Sequence, residues 1–259
     1  MSMSRPRLHI PKVIGHRGAA LRAPENTLAG FRKAAELSCT WVEFDVRLSL
    51  EGQPVVFHDD TLERTTDGTG RVGATPLGNL LSRDAGSYFD LKYRGEHIPT
   101  LDETLMLLPS LGLGCDLEMK PDLGREQALA ETVASTIERA WPKAFPFPLV
   151  TSFSALAIEA FANLAPHIPR GYLTAELPFD WQVQAGRTGA VAVICDHKSL
   201  TLDDVRAVSG AGFPLLVYTV NQESRAEQLF AWGVDSVISD APDAILAGHT
   251  GPKFEPWPD

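Results

Sequence analysis

Short apolar runs alternate along the chain with longer amphipathic segments. The short runs are rich in Val, Leu and Ile and show little alternation with polar residues. This pattern is typical of parallel strands that are covered on both faces. It predicts eight strands: KVIGH (12–16), WVEFDVRL (41–48), LGCDLEMK (113–120), FPLVTSF (147–153), RGYLT (170–174), AVAVICDH (190–197), FPLLVYTV (213–220) and VDSVIS (234–239).

Between these strands, apolar residues recur at helical spacing. Two helix starts carry a capping box, in which Thr100 pairs with Glu103 and Thr201 with Asp204. The strand–helix unit recurs eight times, which in a chain of this length predicts a closed (β/α)8 TIM barrel. The alternative architecture is an open doubly wound sheet, but no glycine-rich dinucleotide motif follows any strand to favour it. The predicted helices are 27–37, 101–108, 125–140, 154–164, 178–188, 222–231, 242–248 and one that begins after Thr201.

One connection is much longer than the others. From about residue 59 to residue 100 the chain is rich in Gly, Asp, Thr and Arg, with one short helical segment, LGNLLSRD. A connection of this length inside a compact domain is usually functional. Because it follows the second strand, we expect a small insertion over the C-terminal mouth of the barrel, where barrel enzymes keep their active sites. We predict one domain over residues 1–259, a catalytic region at about 12–247 and a Pro-rich tail at 249–259.

Composition narrows the range of partners. The chain has 259 residues and a formal net charge of −10, without the basic stripe of a nucleic-acid-binding protein. Its N-terminus lacks the apolar core of a signal peptide, and no apolar run reaches the roughly 18 residues of a membrane span. Three widely spaced cysteines in apolar stretches, Cys39, Cys115 and Cys195, fit reduced, buried thiols. We therefore expect a cytoplasmic protein that contacts neither nucleic acid nor membrane; its oligomeric state has no readable signal.

The first two strands end in charged side chains. His16 and Arg17 follow the first strand, and a guanidinium suits the oxygens of a phosphate or carboxylate. Glu43 and Asp45 lie two residues apart on the second strand, so both point into the barrel near its mouth. Buried carboxylates without partners are costly. A shared divalent metal ion is the predicted solution, and ion pairs with barrel lysines or arginines are the alternative.

The third strand adds an acidic and a basic group to the same edge. Asp116, Glu118 and Lys120 share one face, and Glu118 is predicted to supply a third oxygen ligand. Ligation by oxygen alone favours Mg²⁺ or Ca²⁺ over zinc or copper. Lys120 is predicted to hold a phosphate oxygen, with a salt bridge to Glu118 or Glu43 as the alternative.

A second histidine, His58, precedes the long insertion. Cleavage of a phosphodiester needs a base that activates the nucleophile and an acid that protonates the leaving alkoxide, and imidazoles suit both roles near neutral pH. His16 and His58, combined with a carboxylate-bound metal and the two cations, predict a phosphodiesterase. His197, at the end of the sixth strand, is a further candidate. The other histidines lie in predicted loops or termini: His9, His97, His167 and His249.

Several motifs together resemble one enzyme family. GHRG, APENT, EFDVRLS, VVFHDDTLERTTDGTG, LEMKP, TSF and VYTVN occur in this order from about Lys12 to Ala247. They resemble the glycerophosphodiester phosphodiesterases, and most closely the bacterial cytoplasmic type linked to glycerol-phosphate uptake. The resemblance implies a TIM barrel with a small insertion after the second strand. It also implies hydrolysis of glycerophosphodiesters, such as glycerophosphocholine, to an alcohol and sn-glycerol 3-phosphate.

The resemblance also implies roles for individual residues. The family's scheme, in which a glycerol hydroxyl attacks phosphorus and water then opens a cyclic phosphate, places acid–base catalysis on His16 and His58. One divalent cation, Mg²⁺ or Ca²⁺, would bind Glu43, Asp45 and Glu118. The substrate- and phosphate-binding positions it implies are Arg17, Lys120, Phe153, Tyr218 and Glu25, although Glu25 of the PENT motif could instead shape the first loop. The alternatives are a phospholipase D-like lysolipid phosphodiesterase and a non-catalytic phosphate-binding barrel.

Overall fold

All eight predicted strands form, and they run parallel around a barrel. The structure, a computed structural model, describes residues 10–248. The predicted tail at 249–259, together with His9 and His249, lies outside that range. The strands across the described residues are β1 (Val13–Gly15), β2 (Trp41–Leu48), β3 (Pro54–Val56), β4 (Gly114–Met119), β5 (Leu149–Thr151), β6 (Gly171–Thr174), β7 (Ala192–Asp196), β8 (Leu215–Tyr218) and β9 (Ser236–Ser239).

The sheet closes on itself. Its neighbouring strands follow the order β5-β4-β2-β1-β9-β8-β7-β6. A parallel bridge between Val150 and Arg170 joins the two ends of that order. The predicted (β/α)8 TIM barrel is therefore confirmed, and an open doubly wound sheet is excluded because it would leave both edges unpaired.

Strand β2 shows how the barrel separates its two faces. All eight of its residues are buried. Val42 and Phe44 face outward into the layer between sheet and helices, where Phe31 meets Phe44 edge to face at 5.6 Å. Trp41, at the start of the strand, packs inside the barrel against apolar side chains of other strands. The interior is thus apolar at its base, and the charged residues of β2 follow toward the mouth.

The helices begin and end within a few residues of their predicted limits. Both predicted capping boxes form, because the Thr100 and Thr201 side chains accept from the backbone N–H groups of Glu103 and Asp204, each at 3.2 Å. The helices of the described range are α1 (Leu28–Glu36), α2 (Leu77–Leu81), α3 (Leu101–Ser110), α4 (Glu126–Ala140), α5 (Ala155–Leu164), α6 (Trp181–Arg187), α7 (Leu202–Gly210), α8 (Glu223–Trp232) and α9 (Pro242–Leu246).

Strand β3 was not predicted. It has three residues and pairs antiparallel with the end of β2, with Val56 opposite Val46. So short a strand with one neighbour has too few residues for a readable pattern. The Phe57 N–H donates to the Asp45 carbonyl (3.0 Å), which brings His58 back to the barrel mouth.

The insertion that follows β3 has a small apolar core of its own. Leu62, Val72 and Leu80 pack there with Phe57 and Ile98, all of them buried. Helix α2 and two short 3-10 helices, Val72–Ala74 and Leu91–Tyr93, are its regular elements. The segment therefore docks as a packed unit beside the mouth.

Cys39, Cys115 and Cys195 are all buried and unbridged, as predicted. Among residues 10–248, no helix combines the length and apolar character that crossing a bilayer requires.

Candidate active site

The predicted metal ligands converge at the mouth of the barrel. Asp45 on β2 lies opposite Glu118 on β4 in the strand register, and Glu43 is two residues before Asp45. Glu43 and Asp45 are buried, and Glu118 is half-buried. One carboxylate oxygen from each lies within 4.8 Å of the other two. This arrangement could hold one metal ion.

Burial and mutual repulsion disfavour full ionisation of this cluster. Burial, and then the charges of Asp45 and Glu118, raises the pKa of Glu43 well above its ordinary value. Burial and the charge of Asp45 also raise the pKa of Glu118 to about 7. Burial raises the pKa of Asp116 to about 8, although the Thr151 hydroxyl donates a hydrogen bond to it (2.9 Å). Such a group of oxygen ligands suits a hard divalent cation.

Asp45 differs from its neighbours because cations surround it. Burial alone would raise its pKa, but Arg17, His58 and Lys120, with a hydrogen bond from Asn26, lower it instead. Arg17 Nε lies 3.5 Å and Lys120 Nζ 3.7 Å from its carboxylate oxygens, and the Asn26 amide donates to it at 2.8 Å. The ion pairs that the sequence offered as an alternative therefore form, and the carboxylate cluster exists as well.

Arg17 and Lys120 both border the cavity at the mouth. Lys120 Nζ also lies 3.2 Å from a Glu118 oxygen, so its predicted salt bridge forms. Arg17 donates from Nη1 to Glu25 at 2.7 Å, whereas its buried Nε makes no hydrogen bond to any of residues 10–248. The side chain thus brings a positive charge to the wall of the cavity, while Glu25 holds one end of the guanidinium.

The loop after β1 has an unusual backbone. Arg17 has a φ of 50° and Gly18 a φ of 90°, both in the left-handed region. A Cβ on Gly18 would lie 2.8 Å from the backbone of Gly30 in α1. Gly18 is therefore required for close approach to a helix.

The first catalytic candidate, His16, is held from behind by an acid. Its Nδ1 lies 2.5 Å from Asp240 Oδ1, just after β9, and its Nε2 lies 3.7 Å from Glu43. Asn221 donates to the second oxygen of Asp240 at 2.7 Å. Burial would raise the pKa of Asp240, but the hydrogen bond with His16 and the neighbouring charges lower it. The ionised Asp240 leaves Nε2 of His16 as the nitrogen on the cavity side.

The second catalytic candidate, His58, also has a carboxylate at its Nδ1. Its Nδ1 lies 2.5 Å from Asp59 Oδ1, and its backbone carbonyl accepts from Arg47 Nε at 2.8 Å. Burial, together with Arg17 and Lys120, lowers the pKa of His58, although Asp45 and Asp59 act in the opposite direction. An imidazole with a lowered pKa is largely neutral near pH 7 and can accept a proton.

These groups surround one cavity of about 270 Å³. Phe153 and Tyr218 form part of its wall, with their rings edge to face at 6.2 Å, and the Tyr218 hydroxyl donates to the Thr174 carbonyl at 3.0 Å. Two of the predicted site residues lie behind the wall instead of lining it. Asp45 is covered by the cations around it, and the Glu25 carboxylate is bonded to Arg17 and to Arg64 of the insertion.

Sequence reasoning missed the acids behind both histidines. Asp59 directly follows His58, and Asp240 follows the last strand, but neither position has a periodicity that marks it. It also missed Asp196, the last residue of β7, and Lys198, which both line the cavity. His197 lies between these two, and its ring Nδ1 is 3.2 Å from Arg225 Nε on α8, so it does not join the other histidines.

Comparisons with known proteins identify the family of the chain. The sequence profile of the glycerophosphoryl diester phosphodiesterase family matches residues 16–244. The glycerophosphodiester phosphodiesterase of Caldanaerobacter subterraneus is 31% identical over 238 residues, which cover 90% of this chain and 96% of that protein. The glycerophosphodiester phosphodiesterase of Bacillus subtilis is 30% identical over 250 residues, with 89% and 83% covered.

A solved structure agrees in three dimensions. An Oleispira antarctica phosphodiesterase in complex with the product sn-glycerol-3-phosphate superposes with a TM-score of 0.91 and 38% identity. The match covers 93% of this chain and 98% of that one. The chain therefore belongs to the glycerophosphoryl diester phosphodiesterase family and is an enzyme of that type.

Proposed function

We propose that this enzyme hydrolyses glycerophosphodiesters to an alcohol and sn-glycerol 3-phosphate, with one divalent cation and two histidines. One observation carries the proposal: two imidazoles, each held at Nδ1 by a carboxylate, border the cavity beside which three carboxylates cluster. The product bound to the Oleispira antarctica relative supports the choice of sn-glycerol 3-phosphate.

The donor set of the three carboxylates fits a divalent cation. Glu43, Asp45 and Glu118 supply only oxygen atoms, which is the donor set of Mg²⁺ and Ca²⁺. The raised pKa values of Glu43 and Glu118 reflect burial and repulsion that a bound cation would offset. When bound, a divalent cation would polarise a phosphoryl oxygen and stabilise negative charge in the transition state.

Arg17 and Lys120 bind the phosphate in this proposal. Arg17 borders the cavity, and Glu25 accepts from its Nη1 at 2.7 Å. Lys120 borders the same cavity, with its ammonium 3.2 Å from Glu118. The two positive charges would hold phosphoryl oxygens by charge-assisted hydrogen bonds.

His16 and His58 transfer the protons. One imidazole accepts the proton of the glycerol hydroxyl next to the phosphate, as that oxygen bonds to phosphorus. The other donates a proton to the departing alkoxide as its P–O bond breaks, which leaves a cyclic phosphate. Water then opens the ring with the two roles exchanged, so both histidines return to their starting protonation states.

The remaining predicted residues position the substrate. Phe153 and Tyr218 offer aromatic surface to the carbon atoms of the ligand. Glu25 acts indirectly, since its carboxylate holds the Arg17 guanidinium at 2.7 Å instead of facing the cavity.

The direct test supplies glycerophosphocholine and measures both products. We expect equal amounts of choline and sn-glycerol 3-phosphate. Release of phosphocholine and glycerol would contradict the proposal, because the other P–O bond would have been cleaved. Bis(p-nitrophenyl) phosphate lacks the neighbouring hydroxyl and should be a poor substrate; equal turnover would reject the cyclic intermediate.

A lysolipid phosphodiesterase is the second candidate, and one observation favours it. Leu123, Phe153 and Phe179 are 98%, 52% and 106% exposed, in the loops that follow β4, β5 and β6 at the barrel mouth. Apolar side chains at that rim could contact an acyl chain. Lysophosphatidylcholine assayed beside glycerophosphocholine separates the two: a higher kcat/KM for the lysolipid would make it the preferred substrate.

A further inference from the structure

Arg64, in the insertion, lies between two carboxylates of the site. It donates to Asp59 from Nε at 2.6 Å and from Nη2 at 2.9 Å. It donates to Glu25 from Nη1 at 2.7 Å and from Nη2 at 2.8 Å. The guanidinium is thus bound at two points to each acid, a geometry that fixes orientation as well as distance.

Each of these acids holds a residue of the proposed chemistry. Asp59 is 2.5 Å from His58 Nδ1, and Glu25 is 2.7 Å from Arg17 Nη1. The hydrogen bonds therefore run without interruption from His58 through Asp59, Arg64 and Glu25 to Arg17. His58 follows β3 and Arg17 follows β1, so a side chain from outside the barrel strands connects them along this path.

The charges along this path depend on Arg64. Hydrogen bonds from Arg64 are the main cause that lowers the pKa of Asp59. Burial would raise the pKa of Glu25, whose side chain is 12% exposed, but bonds from Arg64 and then Arg17 lower it. Without Arg64, Asp59 would keep only its bond to His58, and Glu25 only its bond to Arg17, among the side-chain hydrogen bonds of residues 10–248.

Another arginine of the insertion provides a natural comparison. Arg71 also ties the insertion to the barrel, through one hydrogen bond from Nη2 to Asp122 (2.9 Å) in the loop after β4. It is exposed like Arg64, at 57% against 48% of the side chain. Asp122, however, makes no contact with either histidine or with Arg17 among the hydrogen bonds and ion pairs of residues 10–248.

We propose that Arg64 is a positioning residue, which sets the His58 imidazole and the Arg17 guanidinium in one fixed relation. This inference rests on the proposed function. It gives the insertion a specific role, because the insertion then supplies a side chain that connects the acid–base group with the phosphate-binding group. Arg64 acts through Asp59 and Glu25 and does not itself border the cavity.

The test compares Arg64→Ala with Arg71→Ala in the full chain, using glycerophosphocholine. For Arg64→Ala we expect kcat to fall by about ten- to a hundredfold, a part of the roughly 10²–10⁴-fold that acid–base catalysis contributes. Affinity for Mg²⁺ or Ca²⁺ should stay the same, since the carboxylate cluster is untouched. Arg71→Ala should lose some thermal stability and keep its kcat.

Two further measurements separate positioning from general support. Guanidinium ion added at millimolar concentration should restore part of the kcat of Arg64→Ala. The kcat of Arg64→Lys should lie between those of Arg64→Ala and the unmodified enzyme, because an ammonium cannot bond both acids at two points. Asp59→Asn should lower kcat, and its effect should not add fully to that of Arg64→Ala. If Arg64 had a purely structural role, the effects of Arg64→Ala and Asp59→Asn on kcat would add fully, and guanidinium would not restore kcat.

The outcomes for the two proposals differ. If the unmodified enzyme releases sn-glycerol 3-phosphate and Arg64→Ala retains its kcat, the role of Arg64 is wrong and the proposed function stands. The role of Arg64 is also wrong if Arg64→Ala and Arg71→Ala lose kcat equally and guanidinium rescues neither. If the unmodified enzyme releases no sn-glycerol 3-phosphate, the proposed function is wrong and the role of Arg64 is wrong with it.

Discussion

The two sides of the barrel mouth differ sharply in chemistry. On one side, the acidic wall consists of Glu43, Asp45 and Glu118 on β2 and β4. On the other, the apolar wall consists of Leu173, Ile194, Tyr218 and Ile238 on β6 to β9, and Asp196 and Lys198 border the cavity on this side as well. Burial and neighbouring negative charge raise the pKa of Glu43 and of Glu118 in the acidic wall, whereas the four residues of the apolar wall carry no charge. We therefore infer that one half of the barrel carries the chemistry, and that the other half shapes the space and excludes water.

The largest effect should come from the acidic wall. Glu43→Gln removes one ligand oxygen. We expect kcat/KM to fall by about 10⁴-fold, since a catalytic metal lowers the activation barrier by several kcal/mol. In the presence of EDTA the same variant should unfold at the same temperature as the parent or higher, because repulsion is relieved. Glu36→Gln on the surface of α1 is the matched control and should leave both values unchanged. A Glu43→Gln enzyme with near-full activity would contradict the role of the acidic wall.

The next largest effect concerns the histidine that joins the two sides. His16 follows β1 but is held by Asp240 after β9, so His16→Gln should lower kcat by about 10³-fold through loss of acid–base catalysis. Its metal affinity should change little. His197→Gln makes the same substitution at the end of β7, where the ring meets Arg225, and should keep kcat. If both variants lost activity equally, the assignment of His16 would be wrong.

A smaller effect is expected from the aromatic side chains of the cavity. Phe153→Ala removes ring surface from the cavity, and KM should rise by about tenfold while kcat changes little, since apolar contacts act on ground state and transition state alike. Steady-state kinetics with glycerophosphocholine measures both constants. A fall in kcat with unchanged KM would show that the ring acts on the reaction itself.

The smallest effect concerns the pH dependence of stability when a chelator keeps divalent cations away from the acidic wall. In the chelated protein, the raised pKa values of Asp116 (about 8) and Glu118 (about 7) mean that the folded state holds protons that the unfolded chain has released. The free energy of unfolding should therefore fall as pH rises from 6.5 to 8. The lowered pKa of His58 acts in the opposite direction, but only below its ordinary value of 6.5.

Urea titrations in EDTA at several pH values measure this dependence. Saturating Mg²⁺ or Ca²⁺ should flatten it, and Asp116→Asn should weaken it while the Thr151 hydroxyl keeps an acceptor. Stability that rises over the same pH interval in EDTA would show that the acids are not held protonated.

The acidic wall could be predicted from the sequence because its geometry is local. Two residues apart on a strand means the same face, so Glu43 with Asp45 and Asp116 with Glu118 needed no tertiary information. The eight strands were equally readable, since strands covered on both faces appear as uninterrupted apolar runs. The cluster also depends on the register between β2 and β4, which sets Asp45 beside Glu118.

The supports of the site could not be predicted, because they depend on the direction of individual side chains. His16 and Asp240 are 224 positions apart, and nothing in SDAPD distinguishes an acid that holds an imidazole from a helix-capping acid. In HDD, Asp59 and Asp60 look alike, yet Asp59 pairs with His58 and Asp60 with Arg47. A pattern of residue types does not contain this information.

In the proposed function, three carboxylates and two histidines act together around one divalent cation. The sharpest test removes divalent metal by dialysis against EDTA, then measures release of sn-glycerol 3-phosphate from glycerophosphocholine before and after addition of Mg²⁺ or Ca²⁺. We expect loss of turnover, and its return with one bound ion per chain. Full turnover in the metal-free enzyme would contradict the shared role of these five side chains.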